Sequence, residues 1–334
     1  LFRRLDGNAL MFAGRVRGGR VSRCSFEWIG QNAAAGWGDT DSENLWDGRA
    51  GMQPRGIVVE DSLFHDVGLF QKQSSAWFQA KTAETMLRNN IMYNLPRAAI
   101  NFNDGFGGGS VVEKNLIFNT CRESGDHGPI NSWDRMPFFT DVSGNPSFEP
   151  VRNEISSNFI WANYGAAQGV DNDDGSSFYW IHDNVFYDAD GFKMDYGGHS
   201  STFERNLILT KISRGNCIGV ASFLQGIGDA YANNTCWVLA PSAASDSDVI
   251  GTVSQCEPSF MDMHDNIYGT MMGNASLKCD GASVPVSKLY HTRGVGRGSR
   301  AESLPSKAQI LTEIRRRLQL PVKETILSTM QVYI

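Results

Sequence analysis

The chain has 334 residues, 41% of them hydrophobic and 11% aromatic, enough to bury a substantial core and too much for a disordered segment. With 30 Lys and Arg against 36 Asp and Glu, the formal net charge of -6 offers no polyanion-binding surface at the level of the whole chain, which excludes nucleic acid as an expected partner. No run approaches the roughly 18 apolar residues of a membrane span, and the opening LFRRLDGNAL lacks the apolar stretch of a signal peptide.

The chain opens in what reads as the middle of a repeat, without an initiator Met, and is taken as a mature form or a fragment. A short phrase then recurs: a ladder residue followed by an apolar alternation, as in Asn115-Leu-Ile-Phe and Asn184-Val-Phe-Tyr. Its copies are centred on Ser62, Asn90, Asn115, Asn158, Asn184, Asn206, Asn234 and Asn266, at steps of 28, 25, 43, 26, 22, 28 and 32 residues. A unit of this length with period-two alternation predicts short stacked strands rather than a leucine-rich or helical repeat. Stacking would repeat the Asn every ~4.8 Å, so inward amides could hydrogen-bond along a ladder at one bend. Gly, at 35 residues, and Asn, at 23, supply the turns.

On these rungs the chain resembles the right-handed parallel β-helix proteins of the pectate-lyase-like superfamily, and most closely their "right-handed β-helix region" members. The resemblance spans about residues 20 to 270. It implies an all-β, right-handed parallel β-helix solenoid, to which the sequence pattern adds a short C-terminal α-helix, in a superfamily of pectate and alginate lyases, polygalacturonases, epimerases and noncatalytic spikes. The expected organisation is a single β-helix over 1–285 and an extension over 286–334. In the extension, Ser306 caps a helix near 306–319 with Ile310, Leu311, Ile314 and Leu318 on one face. Arg315, Arg316 and Arg317 read as a solvated face or an anion site.

Six cysteines are too scattered for a zinc site, and Cys217 with Cys236 and Cys256 with Cys279, each about one repeat apart, are the candidate disulfides, against buried free thiols. Together with the sequons at Asn233 and Asn274 they favour a secreted or extracellular location.

Chemistry is expected in the half-unit after each ladder residue. Aligning Ile100, Ile130, Val170 and Phe192 as core positions sends the residues one and three places later outward. One column then holds Gln79, Asn101, Asn131, Asp171 and Lys193, and a second holds Lys81, Asn103, Trp133, Asp173 and Asp195. Carboxylates for acid-base work, amides and cations for hydroxyl or uronate groups, and an aromatic plane for a pyranose make this a polysaccharide face. Catalysis is assigned to Asp173, Asp195, His127 and Lys193, and substrate binding to Lys81, Asn101, Asn103, Trp133, Arg135, Asp171 and His199. His127, Trp133 and Arg135 come from the longest step, where long loops carry function. Glycine-rich 105–109 is read as letting the chain approach a ligand closely.

Three functions stay open. A glycoside hydrolase would use Asp173 and Asp195 as paired carboxyls on adjacent rungs, without a cofactor. A lyase or epimerase acting on uronates would place Ca²⁺ on Asp173, Asp195 and Asn103. A noncatalytic carbohydrate-binding or structural solenoid is the third.

Overall fold

The computed structural model describes residues 1–40, 51–103, 107–125, 127–133, 151–164, 168–173, 175–194, 197–210, 216–221, 224–239 and 249–319. Their strands form three long sheets that the chain visits in turn, coil after coil: two of 11 strands and one of 9. The first sheet runs from Phe2–Leu5 to Arg300–Ser303, the second from Leu10–Ala13 to Ala282–Pro285, and the third from Arg20–Ser22 to Met261–His264. Strand pairing is parallel throughout except at the end of the second sheet, where Ser276–Cys279 and Ala282–Pro285 form an antiparallel hairpin. This is a parallel β-helix. The first sheet continues beyond residue 285, because Arg300–Ser303 pairs in parallel with Ile267–Thr270.

The ladder lies at the bend between the third and first sheets. The Ser62 amide donates to Asn90 Oδ1 at 3.1 Å, and the same step repeats from Asn90 to Asn115, Asn158, Asn184, Asn206, Asn234 and Asn266 at 2.9–3.0 Å. Each Asn amide group also donates to a backbone carbonyl of the third-sheet strand one coil earlier, as Asn158 Nδ2 does to Val112 O at 2.9 Å. The ladder extends past the expected rungs, to Cys24 N on Ser62 Oγ and to Ser299 Oγ under Asn266 N. Its reason is visible in the backbone: the residue before each rung, from Asp61 and Asn89 to Asn233 and Asp265, has φ of 51 to 57°. Those left-handed turns leave adjacent N–H groups without a sheet partner, and the inward amides satisfy them.

Inside the coil, aromatic and aliphatic side chains stack in columns, for example Phe2, Phe26 and Phe64 with ring centroids 4.5 and 4.8 Å apart. Cys217–Cys236 and Cys256–Cys279 are disulfides, as the one-repeat spacing suggested, while Cys24 and Cys121 are free thiols. The sequon residues Asn233 and Asn274 are exposed.

Helix α1 (Val286–Arg293) buries Val286 and Leu289 against the last strands. Helix α2 (Lys307–Arg317) begins in a capping box, with Gln309 N donating to Ser306 Oγ and Ser306 N to Gln309 Oε1. Its Ile310 and Ile314 pack on Phe159, Val185, Tyr187, Leu207, Leu209 and Trp237, the apolar outer face of the first sheet. Arg316 and Arg317 are engaged by Glu313, and Arg317 also donates to Arg205 O, so these two guanidinium groups serve the helix and its docking rather than an anion site. No helix among the described residues is long and apolar enough to cross a membrane.

One buried acid carries a pH signature. Asp229 accepts from Ser201 N at 2.8 Å through Oδ1, while Oδ2 is buried without a hydrogen-bond partner among the described residues. Burial pushes its carboxyl up to about 7. Because the folded pKa is raised above the ordinary carboxylate value, the folded state holds a proton that the unfolded chain releases. Stability from this group is therefore full below about pH 4, falls as pH rises toward 7 and levels above it. Asp229→Asn, which cannot ionise, should flatten this dependence. The gap between variant and wild type should shift in favour of the variant by up to about 4 kcal/mol between pH 4 and pH 8, at about 1.4 kcal/mol per pKa unit. Urea unfolding at several pH values measures it, and parallel curves would refute the assignment.

Candidate functional site

The core register of the second sheet follows the sequence alignment over four rungs: Ile100 pairs with Ile130, Ile130 with Val170, and Val170 with Phe192. Asn101, Asn131, Asp171 and Lys193 consequently stand in one axial column. Ladder bonds from Trp133 N to Phe102 O and from Asp173 N to Ser132 O carry the pairing one residue further, so Asn103, Trp133 and Asp173 form the second.

Charge is concentrated where the two columns meet. Lys193 Nζ donates to Asp171 Oδ1 at 2.5 Å and to Asp173 Oδ1 at 3.2 Å, one ammonium shared by two carboxylates. Asp171 is 1% exposed and Asp173, at its rim, 27%. The bond to the Lys193 ammonium offsets part of the cost of burying this carboxylate.

Arg97 and His127 flank this pair. Each stands three residues before a paired core residue, Ile100 or Ile130, so the two side chains meet on adjacent rungs, with Arg97 NH2 3.2 Å from His127 Nδ1 and 3.4 Å from Asn131 Oδ1. A guanidinium can only donate, so His127 Nδ1 is the acceptor and its proton is assigned to Nε2. The backbone folds tightly over the column: a Cβ on Gly128 would lie 3.0 Å from Asp171 Cβ and 2.8 Å from Gln168 O. Cys121, which donates to His127 O at 3.1 Å, has its thiol pushed up to about 12, chiefly by burial and further by Asp171, and is therefore no nucleophile.

Several expectations need correction. Asn101, Asn131 and Asp171 were expected to face solvent, yet they are 0–1% exposed. Alternation gives the side of the sheet correctly and says nothing of what lies over it. Both polar atoms of Asn101, and Asn131 Nδ2, are buried without a hydrogen-bond partner among the described residues. Each such atom costs about 1–3 kcal/mol, recoverable by a water or hydroxyl. Gln79 belongs to neither outward column: Trp77 pairs with Ile100, so Phe78 faces out and Gln79 turns inward, accepting from Trp77 Nε1 at 2.9 Å and donating to Thr82 O at 3.2 Å. The same one-residue slip pairs Ala80 with Asn103 and leaves Lys81 in the bend beyond, at φ 50°.

His199 lies in a turn bridged to Ser177, hydrogen-bonded to Ser200 Oγ at 2.9 Å and edge-on to Phe178, with its pKa lowered by burial. Gly107 does approach closely, but to the chain itself: its Cβ would fall 2.3 Å from Thr82 O. Asp195 and Arg135 lie outside the described residues, as does Gly105. Among the described residues no cluster of three or more His, Cys, Asp or Glu side chains is arranged to hold a metal ion. Arg97 is the site residue that sequence reasoning missed; its offset from Ile100, equal to that of His127 from Ile130, was the available signal.

No protein-family model and no curated protein sequence matches the chain. Among solved structures it is similar to alginate lyase from Paenibacillus sp. str. FPU-7, with a TM-score of 0.44 and 12% sequence identity over 76% of this chain and 73% of that one. The likeness concerns the fold, and no residue role is carried over from it.

Proposed function

We propose that the protein cleaves polysaccharide chains at the outer face of the second sheet, with Asp173 as the reacting carboxylate. The observation that carries this reading is the Lys193 ammonium bonded to both Asp171 and Asp173. A lysine between two anions keeps its proton, which removes it as a base and makes it a fixed positive charge. That charge lies beside Asp173, whose carboxylate at the solvent edge is placed to act as general base or nucleophile. His127 lies against Arg97 near the buried column, and Trp133, one rung before Asp173 and exposed, offers a plane for a pyranose ring.

Hydrolysis is the preferred chemistry, with Asp195, taken from the sequence pattern alone, as the partner carboxyl. Lys193 already supplies the positive charge that Ca²⁺ would bring to Asp173, so turnover is expected to be indifferent to chelator. A uronate lyase is the second reading, favoured by one observation: Arg97 and His127 lie together, a pairing suited to a substrate carboxylate. The protein acts outside the cell in either case, consistent with two disulfides and two exposed sequon residues.

Incubation with neutral and anionic polysaccharides, followed by reducing-end release and by the absorbance of unsaturated uronate, tests both. Reducing ends alone support hydrolysis; reducing ends with the absorbance support elimination. Neither signal on any polymer, with and without added Ca²⁺, would sink the enzymatic reading in favour of a noncatalytic solenoid.

A further inference from the structure

Under α2 the outward columns of the first sheet are sealed: Val185, Tyr187, Leu207 and Leu209 are 0% exposed. The register carries both columns on toward the N-terminal coils, from Val185 through Phe159 to Leu116, Ile91 and Leu63, and from Tyr187 to Trp161, Phe118 and Tyr93. The residues stay apolar, but α2 stops short of them. Ile91 is 41% exposed, and Leu63, Tyr93, Leu116, Phe118 and Trp161 are each only partly buried. The rings of Tyr93, Phe118 and Trp161 stack rung on rung, with centroids 4.9 and 6.0 Å apart, so the strip turns ring edges and aliphatic chains outward rather than ring planes. A contiguous apolar strip continuous with a packed interface marks a contact surface.

The direction of α2 says what reaches this strip. The chain leaves the last coil where Leu304 N donates to Thr270 O, seats Ile310 and Ile314 over the rungs of Val185 to Trp237, and bonds Arg317 to Arg205 O. Leu318 and Gln319 then stand over earlier rungs, where with Lys114, Leu116 and Phe159 they line a cavity of about 320 Å³. The helix thus runs back along the solenoid, and Gln319 is at the rim of the uncovered strip. Residues 320–334 lie outside the described residues. Eight of these fifteen are aliphatic, Met or Tyr and only Lys323 and Glu324 are charged, a composition that calls for an apolar contact. Val322, Ile326, Met330 and Ile334 repeat the four-residue spacing by which Ile310 and Ile314 seat α2. Even at the ~1.5 Å rise per residue of a helix, fifteen residues span ~22 Å, against ~10 Å from the Leu116 rung to the Leu63 rung. Tethered at Gln319, the segment meets the strip at an effective concentration that a free partner does not reach.

We infer that the C-terminal segment 320–334 is the occupant of this strip and carries the seat of α2 onward over Leu116, Ile91 and Leu63. The test keeps the full chain. With Cys24→Ser removing the partly exposed free thiol, Ile91→Cys reports on the strip through its rate of reaction with a maleimide. Adding Ile326→Asp and Met330→Asp together should raise that rate about 10-fold or more, because two carboxylates in the segment oppose its burial. In a second arm Val322→Cys, Ile326→Cys, Met330→Cys and Ile334→Cys are each paired with Ile91→Cys and oxidised. At least one pair should form a disulfide within the chain, located by peptide mass. This arm introduces no charge, so it decides the matter if the aspartate variant fails to fold. No crosslink within the chain at any of the four positions, or equal maleimide rates in a folded aspartate variant, overturns the inference. Protection that rises with protein concentration, or crosslinks found only between chains, overturns it as well and assigns the strip to a second copy of the protein.

Discussion

Asp173→Asn is expected to lower turnover on the polysaccharide substrate by about 100- to 10,000-fold, the range that a positioned acid or base contributes. The exchange is nearly isosteric, and it leaves the buried Asp171–Lys193 pair intact, so the unfolding midpoint should stay within about 0.5 kcal/mol of wild type. That separation makes Asp173 the informative position. Lys193→Met would remove the ammonium bonded to Asp171, 1% exposed, and disturb the packing around it, confusing lost chemistry with lost fold. Turnover of Asp173→Asn within tenfold of wild type on a polymer that the wild type cleaves would remove this carboxylate from the mechanism.

The largest effect on stability should come from the middle of the asparagine ladder. Asn158 Oδ1 accepts from Asn115 N and Nδ2, both at 3.0 Å, and its own Nδ2 donates to Val112 O and Asn184 Oδ1. Asn158→Ala would leave the buried Asn115 N–H unpaired at about 1–3 kcal/mol, remove a donor from Val112 O, and open a small void. Chemical denaturation should report a loss of about 2–4 kcal/mol. Asn158→Ser should lose less, because a hydroxyl can accept one of these bonds, as Ser62 does from Cys24 N at 3.0 Å. A loss below 1 kcal/mol for the alanine variant would mean that the bends hold without their amides.

The ladder was legible because one polar residue type recurs before the same apolar alternation, and a stack demands that equivalence. The register from Ile100 to Phe192 was legible for the same reason: each core residue is followed at fixed offsets by polar ones. It slipped at Trp77-Phe78-Gln79, where two consecutive aromatics let either ring serve as the core residue. Trp77, 1% exposed, is the one inside. The disulfides could be read because 19 and 23 residues span about one coil, which brings each pair onto neighbouring strands. What could not be read was coverage. Asp171 and Asn131 lie on the outward side but beneath other parts of the chain, and period two carries no information about the neighbouring bend that supplies Arg97 and His127.

Both disulfides lie in the later coils, between Cys217 and Cys279. In a one-dimensional stack each coil is held only by its two neighbours, so stability behaves like a chain of coupled units that can open from either end. Crosslinks closing loops of this length each remove about 3 kcal/mol of chain entropy from the opened state. They reinforce the coils that carry them, so the crosslinked rungs open last, and the rungs before Cys217, that of Asp173 among them, open more readily.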